Sequence, residues 1–125
     1  MGTTNDEKYG TIKISDEVIA VCAMNATLKT EGVSSLSRGI TDSISNMLGK
    51  EPLYQGIKVA QTDYGIVVDI YPIVFLGVKI PEVAFNIQKN VKKELEHMLD
   101  EKVKAVNIHV QGVDVKQNTK KNPSA

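Results

Sequence analysis

Few side chains in this sequence have the chemistry for catalysis or metal binding, and their spacing can be tested one by one. His97 and His109 are its two histidines. Glu94 and His97 form a Glu-x-x-His pair, the spacing used by di-iron helical bundles. Such a site needs a second copy of the motif and further carboxylates on facing helices, and the chain has neither. A histidine near a helix C-terminus answers instead to the helix dipole, which favours a cation there. His109 alternates with apolar residues and is expected on the surface of a strand. Asp63 and Asp69 flank one strand and read as a turn aspartate and a solvent-facing or sheet-edge aspartate. No serine lies in a Gly-x-Ser-x-Gly elbow. Gly49-Lys50 lacks the preceding glycine and the following Ser or Thr of a phosphate loop. Cys22, the single cysteine, falls on an apolar helical stripe and reads as a buried, inert thiol. No catalytic residue, metal ligand or cofactor is expected, and no small-molecule substrate.

The one concentration of charge is Lys89, Lys92 and Lys93 on one helix, with Lys79 nearby. Such a run is ordinarily a solvated face; its functional reading is a patch for anionic lipid, nucleic acid or an acidic partner. No segment combines a basic face with bulky aromatic anchors, so a membrane link is expected to run through a partner.

The element that must carry these lysines is Val78–Leu99. Pro81 suits a first helical turn, since the N–H it lacks would have had no partner there. Ile80, Ala84, Ile87, Val91, Leu95 and Met98 follow at steps of four, three, four, four and three, one face of a helix over Pro81–Leu99. Gln88, Lys89, Lys92, Lys93 and Glu96 fall on the other. Before it, Tyr9–Ile14 alternates as a strand. Ser15 is a candidate N-cap for a helix carrying Val18, Ile19, Cys22 and Ala26 on its stripe, with Gly32 as its stop. Val33–Arg38 reads as a connector, and Ile40, Ile44, Met47 and Leu48 as a short second helix. Gly56–Gln61 and Ile66–Leu76 read as strands around a Thr62–Gly65 turn, with Pro72 implying an edge position or a bulge. Lys104–Val110 reads as a half-solvated antiparallel strand with Val106, Ile108 and Val110 inward. Gly112 then shifts the phase. Residues 1–8 are expected to be a flexible tail, 9–115 one domain, and 116–125 a disordered tail. The order β-α-α-β-β-α-β gives an α+β domain, with an antiparallel or mixed sheet and helices packed against it.

The 125 residues suffice for one domain with its own core. Fifteen basic and fifteen acidic side chains leave no basic excess, which argues against a strong nucleic-acid binder. A lone cysteine fits a reducing compartment. The longest apolar run, Ile70–Val78, is about half the roughly 20 residues of a membrane span.

Several segments in order resemble the alkaline shock protein family: Tyr9-Gly10-Thr11-Ile12-Lys13-Ile14-Ser15-Asp16-Glu17, Glu31-Gly32-Val33, Leu48-Gly49-Lys50, Gly56-Ile57-Lys58-Val59, Val78-Lys79-Ile80-Pro81-Glu82-Val83-Ala84, and Val106-Asn107-Ile108-His109-Val110-Gln111-Gly112-Val113. The resemblance spans Tyr9 to Val115. It implies a cytoplasmic, non-enzymatic envelope-stress-response protein of the kind found in Gram-positive and related bacteria. It also implies self-association and, for some members, attachment to the membrane by a separate anchoring protein. A small nucleic-acid-binding module is the alternative reading of the chain. Ile66–Leu76 has apolar residues on both parities, one more face than a one-sided sandwich needs. Tyr71, Ile73 and Phe75 are therefore expected to be a self-association surface, making the protein at least a dimer.

Overall fold

The structure, a computed structural model, describes residues 7–37 and 55–115. The expected short helix at Ile40–Leu48 and the terminal tails before residue 7 and after residue 115 lie outside the described residues. The helix α1 spans Asp16–Leu28. Ser15 caps it as expected, its Oγ accepting the Val18 N–H at 3.2 Å, and Asp16 and Glu17 place negative charge at the positive end of the dipole. The strands are β1 (Val33–Leu36), β2 (Ile57–Thr62), β3 (Gly65–Ile70), β4 (Pro72–Phe75), β5 (Val103–Ile108) and β6 (Gly112–Asp114). The long helix α2, Ile80–Leu99, lies between β4 and β5.

The strands form two three-stranded sheets, ordered β1-β4-β6 and β2-β3-β5. β1 and β2 run antiparallel to β4 and β3, while β5 and β6 run parallel to them. Ladder bonds continue through the junction. Tyr71 accepts from Ser37 at 2.8 Å and donates to Gly56 at 2.9 Å; Ile70 accepts from His109 at 2.8 Å and Pro72 from Gln111 at 2.9 Å. The result is one bent sheet on a central strand, Gly65–Phe75. Gly56, with φ +89°, lies where the chain re-enters the edge: a Cβ there would stand 2.8 Å from the Leu36 Cβ and from the Ser37 carbonyl oxygen. Only glycine fits that approach and that φ.

Several expectations are corrected. Pro72 is neither on an edge nor in a bulge. It opens β4, where the central strand passes from one sheet to the next and no N–H is missed. Val33–Leu36 is a strand, concealed by its two serines. Tyr9–Ile14 is not: Glu7–Tyr9 is a 3₁₀ turn and the following residues join neither sheet. What touches β2 there is the Gln61 side chain, whose Nε2 donates to the Ile14 carbonyl at 3.1 Å and to Asp16 Oδ1 at 2.7 Å. β5 is parallel, because α2 carries the chain back along the sheet before β5 begins. A register shift opposite Ile66/Val67 lets Val103 and Val106, three positions apart, both face inward.

α1 packs on β2, α2 on β5, and the helices on each other. The core between helices and sheet holds Ile19, Ile57, Val68, Ile70, Ile87, Val91, Leu95 and Val103, each at most 1% exposed. Val18 is solvent-facing rather than on the stripe, since one residue is a 100° rotation and Ile19 already holds the inward position. Gly32, at φ +97°, lets the turn after α1 close on α2: a Cβ there would meet Val83 Cγ2 at 2.7 Å.

The α2 stripe is buried in the middle and exposed at its ends, with Ile80 at 39% and Met98 at 56%. Both lie on the inward face. A 20-residue helix is about 30 Å long, and a six-residue strand about 20 Å, so the ends overhang the sheet. Leu95→Ala is therefore expected to cost about 2–5 kcal/mol in urea melts. Met98→Ala, which removes side-chain atoms already in water, should cost under about 1 kcal/mol. Equal losses would show that the overhang is wrong.

Candidate functional site

α2 carries three of the four lysines singled out in the sequence, and Lys79 is its N-cap residue. They do not form one patch. Lys92 Nζ bonds Glu96 Oε2 at 3.2 Å and the Val103 carbonyl at 3.1 Å, and Glu96 Oε2 accepts the Val103 N–H at 3.0 Å. Gln88 Nε2 donates to the Val106 carbonyl at 3.0 Å. Three side chains of the polar face of α2 thus satisfy backbone groups of β5. Lys89 lies over the Phe85 ring, 5.6 Å from its centroid. Lys93 points the other way, into a cleft between α1 and α2 of about 260 Å³, lined by Ala26, Lys29, Asn90, Lys93, Glu94 and His97.

That cleft is where the Glu-x-x-His pair lies. Asn90 closes its floor, with Nδ2 donating to the buried Thr30 hydroxyl at 3.0 Å, which in turn donates to the Ala26 carbonyl at 2.9 Å. Among the described residues no three His, Cys, Asp or Glu side chains gather as metal ligands would. Cys22 is buried beneath, and its thiol pKa is raised, first by burial and then by the charge of Glu94.

A second cluster sits on the outer face of the sheet. Asp69 Oδ1 meets His109 Nε2 at 2.9 Å and accepts from Asn107 Nδ2 at 3.1 Å. The His109 ring stacks on Tyr71, with centroids 4.7 Å apart and planes at 15°. Sequence reading placed His109 and Asp69 on the surface and did not see that they pair. The signal was available only through the register, which sets Asp69 beside Asn107. The cluster ties β3 to β5 through side-chain hydrogen bonds on the exposed face of the sheet. Asp63 lies away from it, in the β2–β3 turn.

The expected self-association set is divided. Tyr71 is half-buried in this stack and Ile73 is half-buried on β4, but Phe75 is only 8% exposed within its own chain. Val74 and Phe75, adjacent and so on opposite faces of β4, are both buried. The apolar side chains that remain in solvent near this end are instead Leu76 at 67%, Val113 at 45% and Val115 at 78%.

Two pH effects follow. The Glu96 carboxyl is lowered, mainly by the Val103 N–H and further by Lys92, against an opposing effect of burial. Its contribution is present above the ordinary carboxylate range and lost as pH falls through the lowered value. Glu96→Gln should flatten the acid limb of a stability–pH curve by a small amount, the group being partly solvated. Cys22, raised, favours the folded state below the ordinary thiol range and loses that contribution as pH rises through it. A thiol reagent at pH 8 should label native protein at least about tenfold more slowly than urea-unfolded protein. Equal rates would show Cys22 to be accessible.

Comparison with known proteins places this geometry. The family model for the alkaline shock proteins, described by a cell envelope-related function, matches residues 4–115. The chain is 41% identical over 110 residues to the uncharacterized protein YloU of Bacillus subtilis (strain 168), covering 86% of this chain and 92% of that protein. It is 39% identical over 110 residues to the uncharacterized protein Spy1614 of Streptococcus pyogenes, covering 86% and 91%. It is 33% identical over 108 residues to the uncharacterized protein YqhY of Bacillus subtilis (strain 168), covering 86% and 80%. No solved structure matches. The chain belongs to the alkaline shock protein family, whose function is related to the cell envelope.

Proposed function

We propose that the protein is a non-enzymatic, self-associating scaffold or adaptor in cell-envelope homeostasis, working in the cytoplasm and reaching the membrane through a partner. The observation that carries the reading is the apolar rim of Leu76, Val113 and Val115, left in solvent at the outer end of the sheet. Contiguous exposed apolar surface beside a sheet edge favours association. The membership of an envelope-related family gives the setting. An indirect route to the membrane fits two features. Among the described residues no helix is long and apolar enough to cross a bilayer. The lysines of α2 diverge, with Lys92 engaged by Glu96 and β5. The same dispersal weakens the nucleic-acid alternative, which needs a basic stripe.

Light scattering over a concentration series is expected to give more than one chain per particle at tens of micromolar; a single-chain mass throughout would overturn the reading. In flotation with anionic vesicles at low salt, the protein alone is expected to stay in the soluble fraction. Flotation that is lost in a Lys79/Lys89/Lys93 triple-alanine variant would establish direct membrane contact and remove the need for an anchoring partner.

A further inference from the structure

The cleft between α1 and α2 gathers ionisable side chains around open space. Lys29 comes from the C-cap of α1, and Lys93 and Glu94 come from α2. The two lysines are exposed and Glu94 is half-buried. Among the described residues the ion pairs are Lys92–Glu96 and His109–Asp69, both outside the cleft. Glu94 therefore closes on neither lysine, although all three line the same space of about 260 Å³. The α1 wall beside Lys29 is Ala26, a single methyl group.

The floor adds a directional group. The Thr30 hydroxyl gives its one hydrogen to the Ala26 carbonyl, so toward Asn90 it can only accept. That fixes the Asn90 amide with Nδ2 on Thr30. Its Oδ1 is the other end of the amide and accepts from no described residue. The cleft thus presents two cations, one from each helix, and two acceptors, the Glu94 carboxylate and Asn90 Oδ1. The bond between Asn90 and Thr30 holds the two helices in this relation with the cleft open.

We infer that this cleft binds a compact phosphomonoester that carries a hydrogen-bond donor beside its phosphate, as a ligand and not as a substrate. Near neutral pH such a phosphate carries about −1.5 to −2 charges, which matches one lysine on each side. A lysine ammonium is a compact charge with three rotatable donors, suited to phosphate oxygens. A carboxylate or a phosphodiester carries one charge and leaves the second lysine unmatched, so a lipid diester or a nucleic-acid backbone fits less well. Glu94 and Asn90 Oδ1 accept only. They repel a second anionic group and call for a hydroxyl or amine on the neighbouring carbon. The volume lies below the roughly 300–1,000 Å³ of drug-sized ligand sites, which suits a small phosphorylated polyol and not a nucleotide. The site does not depend on self-association.

The test is an amide NMR titration of the full chain with glycerol 3-phosphate. Saturable shifts are expected at Lys29, Thr30, Asn90, Lys93 and Glu94. Inorganic phosphate and the diester glycerophosphocholine should bind more weakly, and glycerol should not bind. Lys29→Gln and Lys93→Gln should each weaken binding about tenfold, the loss of one charge-assisted hydrogen bond. Both positions are exposed, so the variants keep the fold, which the unchanged remainder of the spectrum verifies. Lys89→Gln removes the same charge from the same helix outside the cleft and should leave binding unchanged. No saturable shift at the cleft, or an equal loss in Lys89→Gln and Lys93→Gln, overturns the site. Inorganic phosphate binding as tightly as glycerol 3-phosphate overturns the part assigned to Glu94 and Asn90, and the diester binding as tightly overturns the match to a dianion.

Discussion

The backbone of Ile70, Tyr71 and Pro72 holds the two sheets to one another. Ser37 and Gly56 meet Tyr71 from one side, and His109 and Gln111 meet Ile70 and Pro72 from the other. Each edge of the bent sheet is registered on these three residues. Since side chains alternate with a period of two, a slip of one residue there would turn Val68 and Ile70 out of the core and Asp69 into it. The proline contributes by what it lacks. With no N–H at the switch point, it leaves no unsatisfied donor where the ladder of one sheet ends and that of the next begins. The Asp69–His109 pair and the Tyr71 stack lie directly over this junction and lock the same register through side chains.

What the sequence made legible was whatever depends on local periodicity. The row Ile87, Val91 and Leu95, the Ser15 cap, the burial of Cys22 and the β2–β3 hairpin follow from spacing and turn chemistry alone, and each is where that spacing put it. What it hid depends on partners remote in the chain. Val33–Leu36 is a strand because β4 lies beside it, although its serines read as connector. Tyr9–Ile14 reads as a strand, yet among the described residues no strand pairs with it. The direction of β5 is set by the path of α2, which no window of residues contains. The candidate sites divide in the same way. The lysines were placed on the right helix, but their destinations on β5 and in the cleft required the packed fold, as did the burial of Phe75 within its own chain.

The polar face of α2 shows how charge can serve a structural end. Gln88, Lys92 and Glu96 look in sequence like an ordinary solvated face. In the fold they donate to and accept from backbone groups of β5 that would otherwise be open to water or to another strand. Hydrogen bonds involving charged groups are stronger than neutral ones. The helix therefore covers the inner side of the sheet with its apolar row and part of the outer edge with its polar row. One element both buries the sheet and limits how much of its margin can recruit a strand.

Tyr71 gathers two points of one edge onto a single residue: Ser37 donates to its carbonyl, and its own N–H donates to Gly56. One residue thereby sets both where β1 ends and where β2 begins, so a change that moves the Tyr71 backbone would disturb two edge strands at once, although they are far apart in the chain.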